Sequence, residues 1–137
     1  MKAKLLYFIP ALVYTLVITY LSLINLADTP VSELGMSDKL LHGGAYFGMA
    51  FLWLLYAIFS FGNKKYSKIA LFVCGSVIFF GIFIEALQKA LTDYRQLDIY
   101  DILANSIGAI LAGIVVYLLK ENLIGLKAKI NSFLLKN

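Results

Sequence analysis

The chain has 137 residues, of which 61% are hydrophobic, with a formal net charge of +4, a mean hydropathy of +0.85 and a pI near 9.1. A single domain of this length has too little interior for so much apolar surface, which excludes an ordinary soluble fold and makes lipid the simplest solvent for the surplus. The basic balance does not read as a nucleic-acid footprint: the lysines stand in short clusters between apolar runs, as topology signals and contacts for anionic headgroups do.

The first apolar run extends from Leu5 to about Leu26, close to the roughly 20 residues that a membrane span needs. Lys2 and Lys4 ahead of it look like the start of a signal peptide. The run is long for one, however, and Ala27-Asp28-Thr29 is a poor small-x-small cleavage site, so a retained first helix is expected. Pro10 is expected in its first turns, where a missing N–H costs least. Asp28, Thr29 and Pro30 end it, and a short polar loop follows.

Ser37 or Asp38 is placed to cap a second span, about Asp38 to Phe61, which closes on Gly62-Asn63-Lys64-Lys65. The third span is expected from about Ser67 to Leu91. It contains the sole cysteine, Cys74, with no cation or base beside it, so Cys74 reads as a packing residue. Thr92 to Leu97 form a loop with Asp93 and Arg95, and the fourth span runs from about Asp98 to Leu119. In residues 121–137, Leu123, Ile124, Leu126, Ile130, Phe133 and Leu134 alternate with Lys127, Lys129 and Lys136. That spacing predicts a basic amphipathic helix on the cytoplasmic membrane surface. The expected architecture is therefore all-α: a polytopic bundle of four transmembrane helices over residues 1–120, then an interfacial tail.

Charge gives the bundle a direction. Lys2, Lys4, Lys64, Lys65, Lys68, Lys120, Lys127, Lys129 and Lys136 fall on one side, and only Lys39, Lys89 and Arg95 on the other. The positive-inside rule makes the first side cytoplasmic and puts both termini there. Of the acids, Glu121 alone joins that side; Asp28, Glu33, Asp38, Glu85, Asp93, Asp98 and Asp101 lie on or near the outer one. Ordinary loop polarity explains Asp28, Glu33 and Asp93 but not Glu85.

Glu85 follows an apolar stretch from Ile69 to Ile84 and lies six residues short of Leu91, about 9 Å below the helix tip. An ionised carboxylate at that depth costs several kcal/mol unless paired or hydrated, so Glu85, and Gln88 on the same face, should point into the bundle. On the second span, Asp38 and His42 share a face at a spacing of four. On the fourth, Asp98, Asp101 and Asn105 form one polar stripe. Asp98 alone reads as a helix cap and His42 alone as a structural hydrogen-bond partner. Below the stripe, Gly108, Ala109, Ala112 and Gly113 allow close helix approach. The three stripes share one membrane depth and satisfy one another only if they meet. The expectation is a shared polar cavity containing His42, Glu85, Gln88, Arg95, Asp98, Asp101 and Asn105, with Arg95 paired to a carboxylate.

Ser37-Asp38-Lys39-Leu40-Leu41-His42 with Ala45-Tyr46-Phe47, then Glu85-Ala86-Leu87-Gln88, then Arg95 and Asp98-Ile99-Tyr100-Asp101-Ile102-Leu103-Ala104-Asn105-Ser106-Ile107-Gly108, in that order and spacing, resembles the VanZ-like family. The resemblance covers about Asp38 to Gly113. It implies an integral membrane protein of the bacterial cell envelope, in a family named for a member associated with teicoplanin resistance. Two departures from the family pattern stand out: Gly43-Gly44 after the histidine, expected to loosen the outer end of the second helix, and a glycine at 113 in place of 112.

Two functions fit these residues. One is an outward-facing site that binds a lipid, a glycan or a cell-wall precursor, with Asp38, Lys39, Gln88, Arg95, Asp98 and Asn105 as contacts. The other is a membrane enzyme on such a substrate, with His42, Glu85 and Asp101 as acid, base and partner. Ser106 and Thr92 lack an activating histidine nearby, which counts against a nucleophilic mechanism. A transporter is disfavoured, since no inverted repeat and no polar path inward are seen. No cofactor is called for, although one histidine among carboxylates could hold a divalent ion. The expected partners are membrane lipids and a lipid-linked or glycan ligand, not nucleic acid; the oligomeric state is left open.

Overall fold

Four α-helices make up almost all of the computed structural model, which describes residues 2–24, 37–62, 66–91 and 97–134 and the side chains of these except 2–4, 131, 133 and 134. They are α1 (Lys2–Leu23), α2 (Asp38–Phe61), α3 (Tyr66–Leu91) and α4 (Ile99–Leu134). No strand occurs among the described residues. At 1.5 Å per residue the four are about 33, 36, 39 and 54 Å long, against a hydrocarbon core of about 30 Å. All four are long and apolar enough to cross a membrane. The protein is thus an all-helical, multi-pass membrane protein, as its composition required.

Helices α2 and α3 lie close to their expected bounds, and capping chemistry marks both ends of α2. Ser37 accepts a hydrogen bond from the Leu40 N–H at 3.3 Å, which satisfies one of the donors that a helix start leaves open. Gly62 closes α2 at φ 75°, a conformation that favours glycine, and donates its N–H to the Ile58 carbonyl at 2.8 Å.

Two ends differ from expectation. Helix α1 begins at Lys2, so Pro10 sits more than two turns inside it rather than in its first turns. Helix α4 does not stop at Leu119 but continues to Leu134. Nothing between Lys120 and Ile124 breaks a helix, Gly125 costs only about 1 kcal/mol, and Leu123 and Ile124 still pack against the core. The tail expected as a separate helix is continuous with α4.

Helix α2 is central and packs on each of the others, with its most extensive interface against α4. Tyr46, Met49, Ala50, Leu54 and Ile58 form its buried stripe and meet Ala109, Ala112 and Val116 of α4. In lipid, burying apolar surface between helices yields little, so close packing and interhelical hydrogen bonds carry the association. Helix α1 joins α2 through stacked Tyr7 and Phe59 rings, 4.1 Å apart, and through Trp53 Nε1 donating to Thr15 Oγ1 at 3.0 Å. Its other face exposes Leu5, Leu6, Ile9, Val13, Leu16 and Val17, the surface that lipid would cover.

Candidate functional site

Helices α2 and α4 approach closely near the N-terminal end of α2. A Cβ on Gly108 would fall 2.1 Å from the Gly43 carbonyl oxygen, so the two backbones touch there. Gly43, expected to loosen the helix, supplies its carbonyl oxygen to this contact. It follows His42 directly, and Gly108 lies three residues after Asn105. The contact therefore sets the polar faces of α2 and α4 against each other one turn away.

Lys39 bridges these faces. Its ammonium donates to Asp98 Oδ2 at 2.5 Å and to Asp101 Oδ1, and stands 3.9 Å from Asp38 Oδ2. The role of countercation expected for Arg95 is filled here by Lys39; Arg95 itself lies outside the described residues. Asp98 also accepts from the Tyr100 N–H at 2.8 Å, so it caps α4 as expected. The Lys39 hydrogen bond, and then that of Tyr100, hold the Asp98 carboxyl below the usual carboxylate range.

His42 reaches across the same interface. Its Nδ1 lies 3.1 Å from Asn105 Oδ1. A carbonyl oxygen only accepts, so Nδ1 carries the proton of this hydrogen bond. In the neutral ring Nε2 is then a bare lone pair. Facing Nε2 are Asp101 Oδ2 at 3.7 Å and Asp38 Oδ1 at 3.8 Å, both too far for hydrogen bonds. Glu85 Oε1 stands 3.9 Å from Nδ1. Glu85 is only 3% exposed and Asn105 only 2%. The carboxylate embedded in an apolar run thus points into the bundle beside the histidine.

Gln88 is also buried, but its amide donates to the Ser22 carbonyl at 2.6 Å. It supplies a donor to the C-terminal turn of α1, where carbonyls lack intrahelical partners, and so draws the first helix into the polar end of the bundle. Sequence reasoning placed Gln88 in the site without foreseeing α1 as its partner.

One residue was missed. Tyr46 is 2% exposed and its hydroxyl has no hydrogen-bond partner among the described residues. Its ring lies against Gly81, where an added Cβ would be 2.8 Å from Tyr46 Cε1, 3.3 Å from Tyr46 Cζ and 3.3 Å from Asn105 Nδ2. The Tyr46 ring and the Asn105 amide thus both lie against Gly81. Its signal was the i, i+4, i+8 spacing from Asp38 through His42, hidden because tyrosine in a membrane span reads as packing.

The described cluster unites Asp38, Lys39, His42, Glu85, Asp98, Asp101, Asn105 and Tyr46. Donors, acceptors and a basic imidazole nitrogen face one another, an arrangement suited to gripping a polar group or moving a proton.

No family model matches the chain, and no solved structure matches it. An uncharacterized protein of Schizosaccharomyces pombe is 31% identical over 87 residues, which are 64% of this chain and 51% of that protein. The chain thus spans about half the length of the curated relative it matches.

Proposed function

We propose that the protein is a VanZ-like component of the bacterial cell membrane, both termini cytoplasmic, whose polar cluster opens to the outside and binds a lipid, glycan or cell-wall-related ligand. The observation that carries this reading is the convergence of four buried polar side chains, Glu85, Gln88, Asp101 and Asn105, at one end of the bundle. Polar groups at membrane depth are costly, and a bundle needing only to anchor would do better with apolar ones. The outward direction rests on the charge tally, nine of twelve basic residues on the opposite side. The motif resemblance supports an envelope role and links the ligand to glycopeptide action, teicoplanin in particular.

Native mass spectrometry of the full chain, purified in mild detergent from its own membranes, tests the reading. A headgroup-bearing molecule should stay with the wild type and be lost in Asn105→Leu. A wild type that carries only bulk lipid, in the same amounts as Asn105→Leu, contradicts it.

A membrane enzyme on the same ligand is the second reading. It is favoured by the His42 ring, held at Nδ1 by Asn105 while Nε2 faces Asp38 and Asp101, the arrangement of a positioned general base. Turnover of the co-purified molecule that is abolished by His42→Gln would select it; unchanged ligand would leave the binding reading alone.

A further inference from the structure

The space between His42 Nε2, Asp38 Oδ1 and Asp101 Oδ2 is the most unusual feature of the cluster. Asp38, His42 and Asp101 each offer one ligand atom, and these three atoms lie within 4.8 Å of one another. With Nδ1 donating to Asn105, the Nε2 lone pair points at two carboxylate oxygens 3.7 and 3.8 Å away. The gap is too wide for hydrogen bonds. Two ligand atoms each about 2.1 Å from a common ion lie about 3.0–3.4 Å apart in octahedral or tetrahedral order. The two separations from His42 Nε2, 3.7 and 3.8 Å, exceed that by about 0.3–0.8 Å. Asp38, whose side chain is 68% exposed, has room to close the difference.

We infer that Asp38, His42 and Asp101 form a binding site for a divalent transition-metal ion at the outer mouth of the bundle. Three further observations fit an ion there. Asn105 holds the far ring nitrogen of His42, and Lys39 holds the far oxygen of Asp101. Each fixes the orientation of a ligand, as the outer partners of metal ligands do. Charge is the second: Asp38, Asp98 and Asp101 surround Lys39, and Glu85 stands behind His42, so acids outnumber the single lysine in the described cluster, as a cation site requires. Tyr46 is the third. Its hydroxyl is buried and has no partner among the described residues, and its ring and the Asn105 amide both lie against Gly81, so the neighbourhood of the cluster has a polar group to spare. One imidazole and two carboxylates suit zinc, manganese or iron(II) rather than a soft, thiolate-preferring ion. Three protein ligands leave coordination positions open to an outer oxygen, the pattern of sites that act on or grip a second molecule. The metal site does not require the headgroup reading, because the ion is held by protein atoms alone.

The test is titration calorimetry of the full chain in detergent micelles, stripped with EDTA, against ZnCl2 and MnCl2, with elemental analysis of the loaded protein. The wild type should take up about one ion per chain with three protein ligands and open positions. Asp38→Asn removes an exposed ligand without disturbing packing and should weaken binding at least tenfold. Asn105→Ala, which removes no ligand, should weaken it by about 10–100-fold. Glu121→Gln, an exposed position far along α4 from the cluster, should bind like the wild type. A wild type that takes up neither ion, or an Asp38→Asn protein that binds like the wild type, overturns the inference. Circular dichroism confirms that each variant is helical, and Asp38→Asn decides the matter if His42 or Asn105 variants fail to fold. Failure here would leave headgroup retention, read by mass spectrometry, unaffected.

Discussion

Gly108→Ala adds one methyl group at the place where α2 and α4 touch. The new Cβ would meet the Gly43 oxygen at 2.1 Å, the Gly43 carbonyl carbon at 2.9 Å and the Phe47 nitrogen at 3.0 Å. A tolerable carbon–oxygen contact is about 3.3–3.6 Å, so the helices must part by roughly 1.3 Å along that line. The obstacle is backbone, which has no rotamer to yield. Overpacking costs about 1–3 kcal/mol when side chains can adjust, and the upper end applies here. The intrinsic helix preference for alanine returns at most about 1 kcal/mol. Gly75 and Gly125 supply the control, because an added Cβ meets nothing within 4 Å at either. Their alanine variants should gain about 0.5–1 kcal/mol. Reversible unfolding in mixed detergent micelles, followed by helicity, should therefore rank Gly75→Ala above wild type and Gly108→Ala well below it, a spread of about 2–4 kcal/mol. A Gly108→Ala protein as stable as Gly75→Ala would refute the backbone contact, and with it the mechanism that holds His42 against Asn105.

The Asp98 carboxyl, held low by Lys39, contributes stability that is fully present above its unfolded value of about 3.9 and is lost as pH falls through its lower folded value. Thermal melts between about pH 5 and pH 2 should show this loss in wild type and less of it in Asp98→Asn. Trp53→Phe removes the donor to Thr15 that ties α1 to α2 and should cost about 0.5–1.5 kcal/mol in the same unfolding assay. Tyr46→Phe deletes a buried hydroxyl with no protein partner. The ligand-free protein should gain about 1–3 kcal/mol from it; a loss of stability would show that the hydroxyl is satisfied.

The helix count and the buried cluster were legible in the sequence for one physical reason: lipid leaves a charged residue few places to go. Glu85 in an apolar run had to turn inward, and the stripe of Asp98, Asp101 and Asn105 had to face it. Cap chemistry at Ser37 and Gly62 fixed the bounds of α2. What the sequence hid depends on distances between helices. Gly43 looked like a weakness because a flexible residue and a close contact are written with the same letter. Lys39 looked like a surface contact for a ligand, yet its stem reaches across to two aspartates of α4. Gln88 found a carbonyl of α1, a group that every residue carries and no pattern marks. The end of α4 was misjudged because a change from apolar to basic residues ends a span but need not end a helix.

The account rests on His42 being locked between α2 and α4 at the polar mouth, and the chain has a single histidine. The ¹⁵N spectrum of histidine-labelled protein in detergent micelles, at about pH 8.5, well above the ordinary imidazole range, therefore reports on that one ring without ambiguity. The account predicts a hydrogen-bonded Nδ1–H with an unprotonated Nε2, reverting to the pattern of a free imidazole in Asn105→Leu. A wild-type ring that carries its proton on Nε2, and does not respond to loss of Asn105, would contradict it.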